Sequence, residues 1–182
     1  MGRQIFVAVA FFAMMGCSDN SADRDGDGQV STQERNAEMA SDAFIPMKAG
    51  RWETSFTFTD IDVPTLGAKQ KQEIMAEMAK GASGASCLTP EQAKKPGADF
   101  FGGDGAKNCM YRTFDMSGQN ARLGVTCTMG GMGGVDIDLT GAMDESKFDF
   151  DSNVGMRLPM IGQVKLKGKA TGHFAGTCKG DE

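Results

Sequence analysis

The pattern of apolar and polar residues divides the chain into three segments. Residues 5–15 form an unbroken apolar run, whereas residues 17–45 are mostly polar. From Arg51 onward, apolar and polar residues alternate, which is the period of a strand with one buried face. The sequence therefore predicts a leader over residues 1–16, a tether over residues 17–45 and a β-rich domain over residues 46–182.

Alternation within the β-rich domain predicts an antiparallel meander. The first strand carries Trp52, Phe56 and Phe58 on one face, and its phase slips at Asp60, which predicts a bulge there. Turn-forming residues separate several of the later segments and favour hairpin connections. The later strands are expected near residues 109–116, 122–129, 135–142, 147–154 and 163–178.

Three further segments have helical patterns. We expect a short helix over residues 31–44, an amphipathic helix over residues 65–82, and a helical turn with Thr89 as N-cap and Pro90 as its first residue. The glycine-rich residues 97–105 are predicted to form a loop. Together these patterns predict an α+β fold, mainly antiparallel β. A curved meander sheet, open or curled into a half-barrel, would pack on one amphipathic helix and be stapled by disulfides.

The leader has the composition of an export signal. Arg3 precedes the apolar run, and a helix of that length spans about 17 Å, too short for the roughly 30 Å core of a bilayer. The run ends in Met14-Met15-Gly16-Cys17, which resembles the lipobox of bacterial lipoproteins, although leucine is usual where Met14 stands. The resemblance implies that Cys17 is acylated and becomes the first mature residue, and that Ser18 permits sorting to the outer membrane. The alternative is export to the bacterial envelope with ordinary cleavage and no lipid.

Net charge limits the expected partners. The chain has a formal charge of −5, and loss of the leader removes the further positive charge of Arg3. An acidic protein lacks the basic face that nucleic acid requires, and it does not adhere electrostatically to anionic lipid. We therefore expect no nucleic acid, and a membrane link only through an acyl chain on Cys17 at the periplasmic side of the envelope. The sequence names no protein partner.

Cysteine usage agrees with an oxidising compartment. Beyond Cys17 the chain has four cysteines and no Cys-x-x-Cys pair, so disulfides are expected rather than a zinc site. Three connectivities are open. We favour Cys87 with Cys109 and Cys127 with Cys178.

One stretch of the tether carries the residue types of a metal site. Carboxylates alternate over Asp23, Asp25 and Asp27, and Gly28 follows where the chain must turn sharply. This spacing resembles the twelve-residue calcium loop of the EF-hand, and calcium takes six to eight oxygen ligands. The predicted ligands are Asp23, Asp25, Asp27, the backbone carbonyl of Gln29, Ser31 and Glu34.

The same stretch has a second interpretation. Ser31 and Glu34 are spaced as a capping box, so the segment can also be an acidic turn that leads into a helix. No second loop of this kind occurs in the chain, and no helix is expected before the loop. We therefore expect calcium binding to be weak, with a dissociation constant on the order of 10⁻⁴–10⁻³ M.

The sequence offers little support for catalysis. The single histidine, His173, falls on the polar face of the last strand, and no nucleophile or nucleotide motif accompanies it. Small residues line the other face of that strand, at Gly168, Ala170, Gly172 and Gly176. Side chains of the amphipathic helix are expected to fill the space beside them. The alternative is an apolar cavity, which would make the protein a carrier of an apolar small molecule.

Two short motifs resemble a known family. Gly50-Arg51-Trp52-Glu53 and Cys87-Leu88-Thr89-Pro90-Glu91-Gln92, with the later cysteines, resemble the bacterial envelope family known as domain-of-unknown-function family 3617. The resemblance spans residues 46–178 and implies an exported protein with paired cysteines, but no activity. The sequence as a whole predicts a non-enzymatic, lipid-anchored, calcium-binding envelope protein that serves as a structural or binding module.

Overall fold

A computed structural model describes residues 22–41, 44–63, 66–81, 83–102, 107–129, 133–158 and 162–180. The predicted leader, the lipobox and Cys17 lie outside these residues. Residues 130–132 and 159–161, which fall between predicted strands, also lie outside them. None of the helices in the described residues is long and apolar enough to cross a membrane.

The described chain contains a sheet of seven strands and four helices. The strands are β1 (Gly50–Asp62), β2 (Gly84–Leu88), β3 (Lys107–Ser117), β4 (Asn120–Met129), β5 (Gly133–Met143), β6 (Lys147–Leu158) and β7 (Gly162–Gly176). The helices are α1 (Thr32–Met39), α2 (Ala68–Gly81), α3 (Pro90–Lys94) and α4 (Ala98–Gly102).

All neighbouring strands in the sheet are antiparallel, in the order β2-β1-β7-β6-β5-β4-β3. Strands β3 to β7 form the predicted meander, and β1 closes against the last strand of that meander. The sheet curls into a half-barrel with β2 and β3 at its edges. The prediction of a mainly antiparallel, curled sheet is confirmed.

Local sequence signals account for several details of the sheet. The pairing of β1 with β7 shifts register between Phe58 and Asp60, so the predicted bulge is present. Thr89 caps α3 in a capping box with Gln92, and Pro90 is the first residue of that helix, as predicted. Two short elements were not predicted: no strand was expected at β2, and a glycine-rich loop was expected where α4 lies.

The core is built around stacked aromatic rings. Trp52 of β1 stacks on Phe148 of β6, with ring centroids 6.1 Å apart, and Phe148 stacks on Phe150 at 5.1 Å. Phe100 and Phe101 of α4 meet these rings edge-on. Because large aromatic side chains bury the most apolar surface, this cluster is expected to contribute more than any other to stability. The Trp52 indole N–H is satisfied by the Lys48 carbonyl at 2.8 Å.

The aromatic cluster crosses strand β7 at Gly172, which has no side chain. Phe148 pairs with Gly172 of β7, and β7 lies between the strands that carry Trp52 and Phe148. A Cβ atom on Gly172 would overlap the ring of Phe148. The space beside Gly172 is therefore filled by an aromatic ring and not, as expected, by methionines of the amphipathic helix.

Helix α2 covers a different part of the sheet. Its Met75 and Met78 pack on a smaller buried cluster that includes Val164 and Leu166, whereas Ile74 is 36% exposed. The main cluster is covered instead by side chains of α1, α3 and α4. A single packing helix was expected, but the described residues contain four helices.

The disulfides join the predicted cysteines in a different pairing. Cys109 of β3 bonds to Cys127 of β4, and Cys87 of β2 bonds to Cys178 after β7. The favoured connectivity was therefore wrong. The reason is topological: β3 and β4 are hydrogen-bonded neighbours, while β2 and β7 flank the same end of β1, where both pair with Arg51. Since β2 was not predicted as a strand, its neighbour could not be inferred.

The outer face of the sheet carries ordered charge pairs. Lys169 lies 3.4 Å from Asp149 and 3.3 Å from Asp151, which is a favourable pairing of opposite charges across neighbouring strands. Arg112 pairs with Asp138 at 3.1 Å. His173 is exposed and lies 3.5 Å from Glu53. All these groups are solvated, so they contribute little to stability and mainly favour the observed register.

The close approach of Phe148 to β7 predicts the effect of a single methyl group. Gly172→Ala should lower the free energy of unfolding by about 1–3 kcal/mol, because the stacked ring of Phe148 has no free space to move into. Gly155→Ala in β6 is the matched control, since a Cβ there meets nothing within 4 Å. The control should be neutral or stabilising by up to about 1 kcal/mol. Urea unfolding of both variants measures the difference, and equal stabilities would contradict this account of the core.

Candidate metal centre

The predicted calcium loop lies between Ala22 and α1, close to the sheet. Ala22, Val30 and Met39 are buried, and they belong to the same apolar cluster as the aromatic core. The residues between Asp23 and Gln29 face solvent for the most part. The acidic part of the loop is therefore accessible from outside, while both of its ends are anchored in the protein.

Three of the predicted ligands come together. Each of Asp23, Asp25 and Asp27 has a carboxylate oxygen within 4.8 Å of the others. Backbone N–H groups orient these side chains: Gly26 and Gly28 donate to Asp23 at 2.8 and 3.1 Å, and Gln29 donates to Asp27 at 2.8 Å. Both glycines have positive φ, 73° and 83°, which permits the tight turn that brings the carboxylates together.

Glu34, the predicted closing ligand, is not part of this group. Its Oε1 accepts hydrogen bonds from the N–H groups of Arg24 and Asp25, at 2.7 and 3.3 Å. Its Oε2 accepts from the Ser31 N–H at 2.9 Å and from the Ser31 hydroxyl at 2.7 Å. The Ser31 hydroxyl in turn accepts from the Glu34 N–H, so the predicted capping box is present at the start of α1.

These hydrogen bonds favour the ionised form of Glu34. The Ser31 hydroxyl has the largest effect, followed by the N–H groups of Ser31 and Arg24, and together they lower the pKa of Glu34 to about 2. Glu34 therefore carries a full negative charge at neutral pH. Its carboxylate joins the beginning of the loop to the first turn of α1.

The described geometry fits a hard divalent cation in part. Three carboxylates supply the oxygen ligands that calcium prefers. Their negative charges lie close together, and a bound cation would neutralise them. All the acceptor positions of the Glu34 carboxylate are taken up by four donors. To ligate an ion as well, Glu34 would have to release some of them, and the 3.3 Å bond from Asp25 is the longest. This competition agrees with the weak affinity that we expect.

The loop and α1 also contact the edge strand β3. The Val30 N–H donates to the Tyr111 carbonyl at 2.9 Å, and the Arg35 guanidinium lies 5.7 Å from the centroid of the Tyr111 ring. A cleft of about 240 Å³ remains between the loop and β3, lined by residues that include Asp27 and Met110. Sequence reasoning missed this contact. The only local signal was Val30, an apolar residue in an otherwise polar loop.

Comparison with known proteins identifies the sheet domain. A family model described as a protein of unknown function (DUF3617) matches residues 47–178. The chain belongs to the DUF3617 family. The match includes all seven strands and the four cysteines of both disulfides, and it begins after the loop at residues 23–34. No curated protein and no solved structure matches the chain.

The capping box yields a pH prediction for the loop in calcium-free buffer. The folded pKa of Glu34 is lowered from 4.5 to about 2, so the stabilisation is complete above pH 4.5 and is lost as the pH falls toward 2. Ser31→Ala removes the largest cause, so the Glu34 titration midpoint should move up toward 4.5. Gln33→Ala, an exposed neighbour in α1, is the control and should leave the midpoint near 2. Carboxyl-carbon NMR follows the titration, and the same midpoint in both variants would refute the role of Ser31.

Proposed function

We propose that this DUF3617 protein is an exported, lipid-anchored envelope protein that binds calcium between its anchor and its sheet domain. In this proposal the protein is not an enzyme but a structural or binding module. An acyl chain on Cys17 attaches the protein to the membrane, and the sheet domain faces the periplasm. Because Ser18 follows the acylated cysteine, the membrane is the outer membrane. The partner that the sheet domain serves has no signature in the sequence.

The observation that carries the calcium proposal is the convergence of Asp23, Asp25 and Asp27. These residues are spaced two apart in the sequence, and their carboxylate oxygens lie within 4.8 Å of one another. Mutual repulsion disfavours such a cluster without a counter-ion, and a divalent cation would offset that repulsion. The expected role is to stiffen the segment that leads from the anchor to the sheet. With an affinity of about 10⁻⁴–10⁻³ M, the loop suits calcium levels outside the cytoplasm.

Isothermal titration tests the calcium site. Residues 18–182, titrated with calcium after treatment with chelator, should release or absorb heat with a dissociation constant of about 10⁻⁴–10⁻³ M. Asp25→Asn together with Asp27→Asn should abolish this heat, because each amide keeps the one oxygen that accepts a loop hydrogen bond but removes a charged ligand. Glu73→Gln with Glu77→Gln, on the exposed side of α2, removes the same charge elsewhere and should leave binding unchanged.

Two results would contradict the calcium proposal. The first is the absence of heat up to about ten millimolar calcium, well above the expected dissociation constant. The second is equal loss of binding in the α2 control, which would show that net charge rather than the loop attracts the ion.

The lipid anchor has a separate test. Expressed with its leader in a bacterium, the protein should be recovered in the membrane fraction, and mass spectrometry should find an acylated N-terminal Cys17. Cys17→Ser should release the protein into the soluble periplasmic fraction. Cys17 is outside both disulfides, so the variant should still fold with Cys87–Cys178 and Cys109–Cys127 intact. An unmodified N-terminus in the wild type would refute the anchor and leave the calcium proposal standing.

A further inference from the structure

The tether is attached to the sheet at the residue that separates two predicted ligands. Val30 lies between Gln29 and Ser31, and its N–H donates to the carbonyl of Tyr111 in β3 at 2.9 Å. β3 is an edge strand of the half-barrel, so this N–H occupies a position where a further strand could pair. The backbone that would present Gln29 and Ser31 to an ion is therefore held by the sheet.

Side chains reinforce this attachment. Val30 is 8% exposed and packs into the main core cluster. Met39, the last residue of α1, packs into the same cluster. The Arg35 guanidinium lies over the Tyr111 ring, and its Nε is buried without a hydrogen-bond partner. A cation–π interaction with the Tyr111 ring thus attracts Arg35 to β3. None of these three side chains is a predicted ligand.

We propose that ion binding in the loop and docking of residues 22–41 on β3 are coupled, so that each strengthens the other. In this arrangement the edge of β3 acts as the partner that holds the loop in its binding shape. The inference rests on the calcium function proposed above and adds its regulation. Calcium sets how firmly the tether is joined to the sheet domain, and β3 sets how well the loop binds calcium.

The coupling follows from charge and from shared backbone. Without an ion, the three aspartates repel one another, and the anchoring of the loop's ends by Glu34 and Val30 opposes that repulsion. An ion removes the repulsion and therefore stabilises the docked shape. Because binding free energies are reciprocal, contacts that stabilise the docked shape must raise the affinity for the ion by the same factor.

Hydrogen exchange in the unaltered protein measures one side of the coupling. The Val30 amide is bonded to Tyr111 only while the segment is docked, so its exchange rate reports docking. Saturating calcium should slow this exchange by about fivefold or more relative to chelator, the lower end of typical coupling. The Lys71 amide, bonded to the Gly67 carbonyl at the start of α2, exchanges by local opening away from the loop; it is the internal control and should not change.

Calcium titration of a docking variant measures the other side. Val30→Ala removes a buried side chain that ligates nothing, so the dissociation constant for calcium should rise by about fivefold or more. Gln33→Ala, exposed in the same segment, should bind as the wild type does. The circular dichroism spectrum of Val30→Ala should match that of the wild type if only docking has been weakened.

The outcomes separate this inference from the function on which it rests. Calcium binding by the wild type, with unchanged Val30 exchange and unchanged affinity in Val30→Ala, would overturn the coupling and leave the calcium site intact. Absence of calcium binding in the wild type would overturn both. Slower Val30 exchange with calcium supports the coupling even if Val30→Ala fails to fold, because that measurement needs no variant.

Discussion

Stacking of Trp52 on Phe148 joins strands that are not neighbours in the sheet. Trp52 belongs to β1 and Phe148 to β6, and β7 lies between them. The two rings can meet only because β7 has a glycine, Gly172, at the position opposite Phe148. This contact therefore depends on the curvature of the sheet, which brings the inward faces of β1 and β6 toward each other across β7 at the position where β7 has no side chain. Phe150, Phe100 and Phe101 then pack around the stack and complete the core.

The elements outside the sheet are placed by this core. Helix α4 is one turn long and could not be stable alone, but it inserts Phe100 and Phe101 between the stacked rings and the solvent. The disulfide of Cys87 with Cys178 holds the short edge strand β2 and the end of the chain on either side of β1. The other disulfide joins the edge strand β3 to β4. Each disulfide thus joins one edge strand of the open sheet to another part of the fold.

The segment before the sheet joins a cluster of exposed carboxylates to the apolar core. Its buried residues, Ala22, Val30 and Met39, share the core of the half-barrel, while its aspartates face solvent. The family match begins after this segment, so the acidic loop is an addition to the DUF3617 domain and not part of its common fold. An added loop that pairs with an exposed sheet edge also covers part of that edge, which otherwise offers unpaired backbone groups.

The sequence alone determined the features that depend on near neighbours. Alternation predicted the five meander strands and the bulge at Asp60, and Thr89 and Pro90 predicted the start of α3. The Asp-x-Asp-x-Asp-Gly spacing predicted that the three aspartates lie together, whereas Glu34, predicted as a ligand with them, lies outside that group and caps α1. Contacts between distant segments set the disulfide pairing, the insertion of α4, the filling of the space beside Gly172 and the contact of Val30 with Tyr111. Periodicity and turn residues act over a few positions, and they carry no information about which distant strands lie side by side. Those pairings are set by how a curled sheet closes its apolar face, which depends on the whole chain at once.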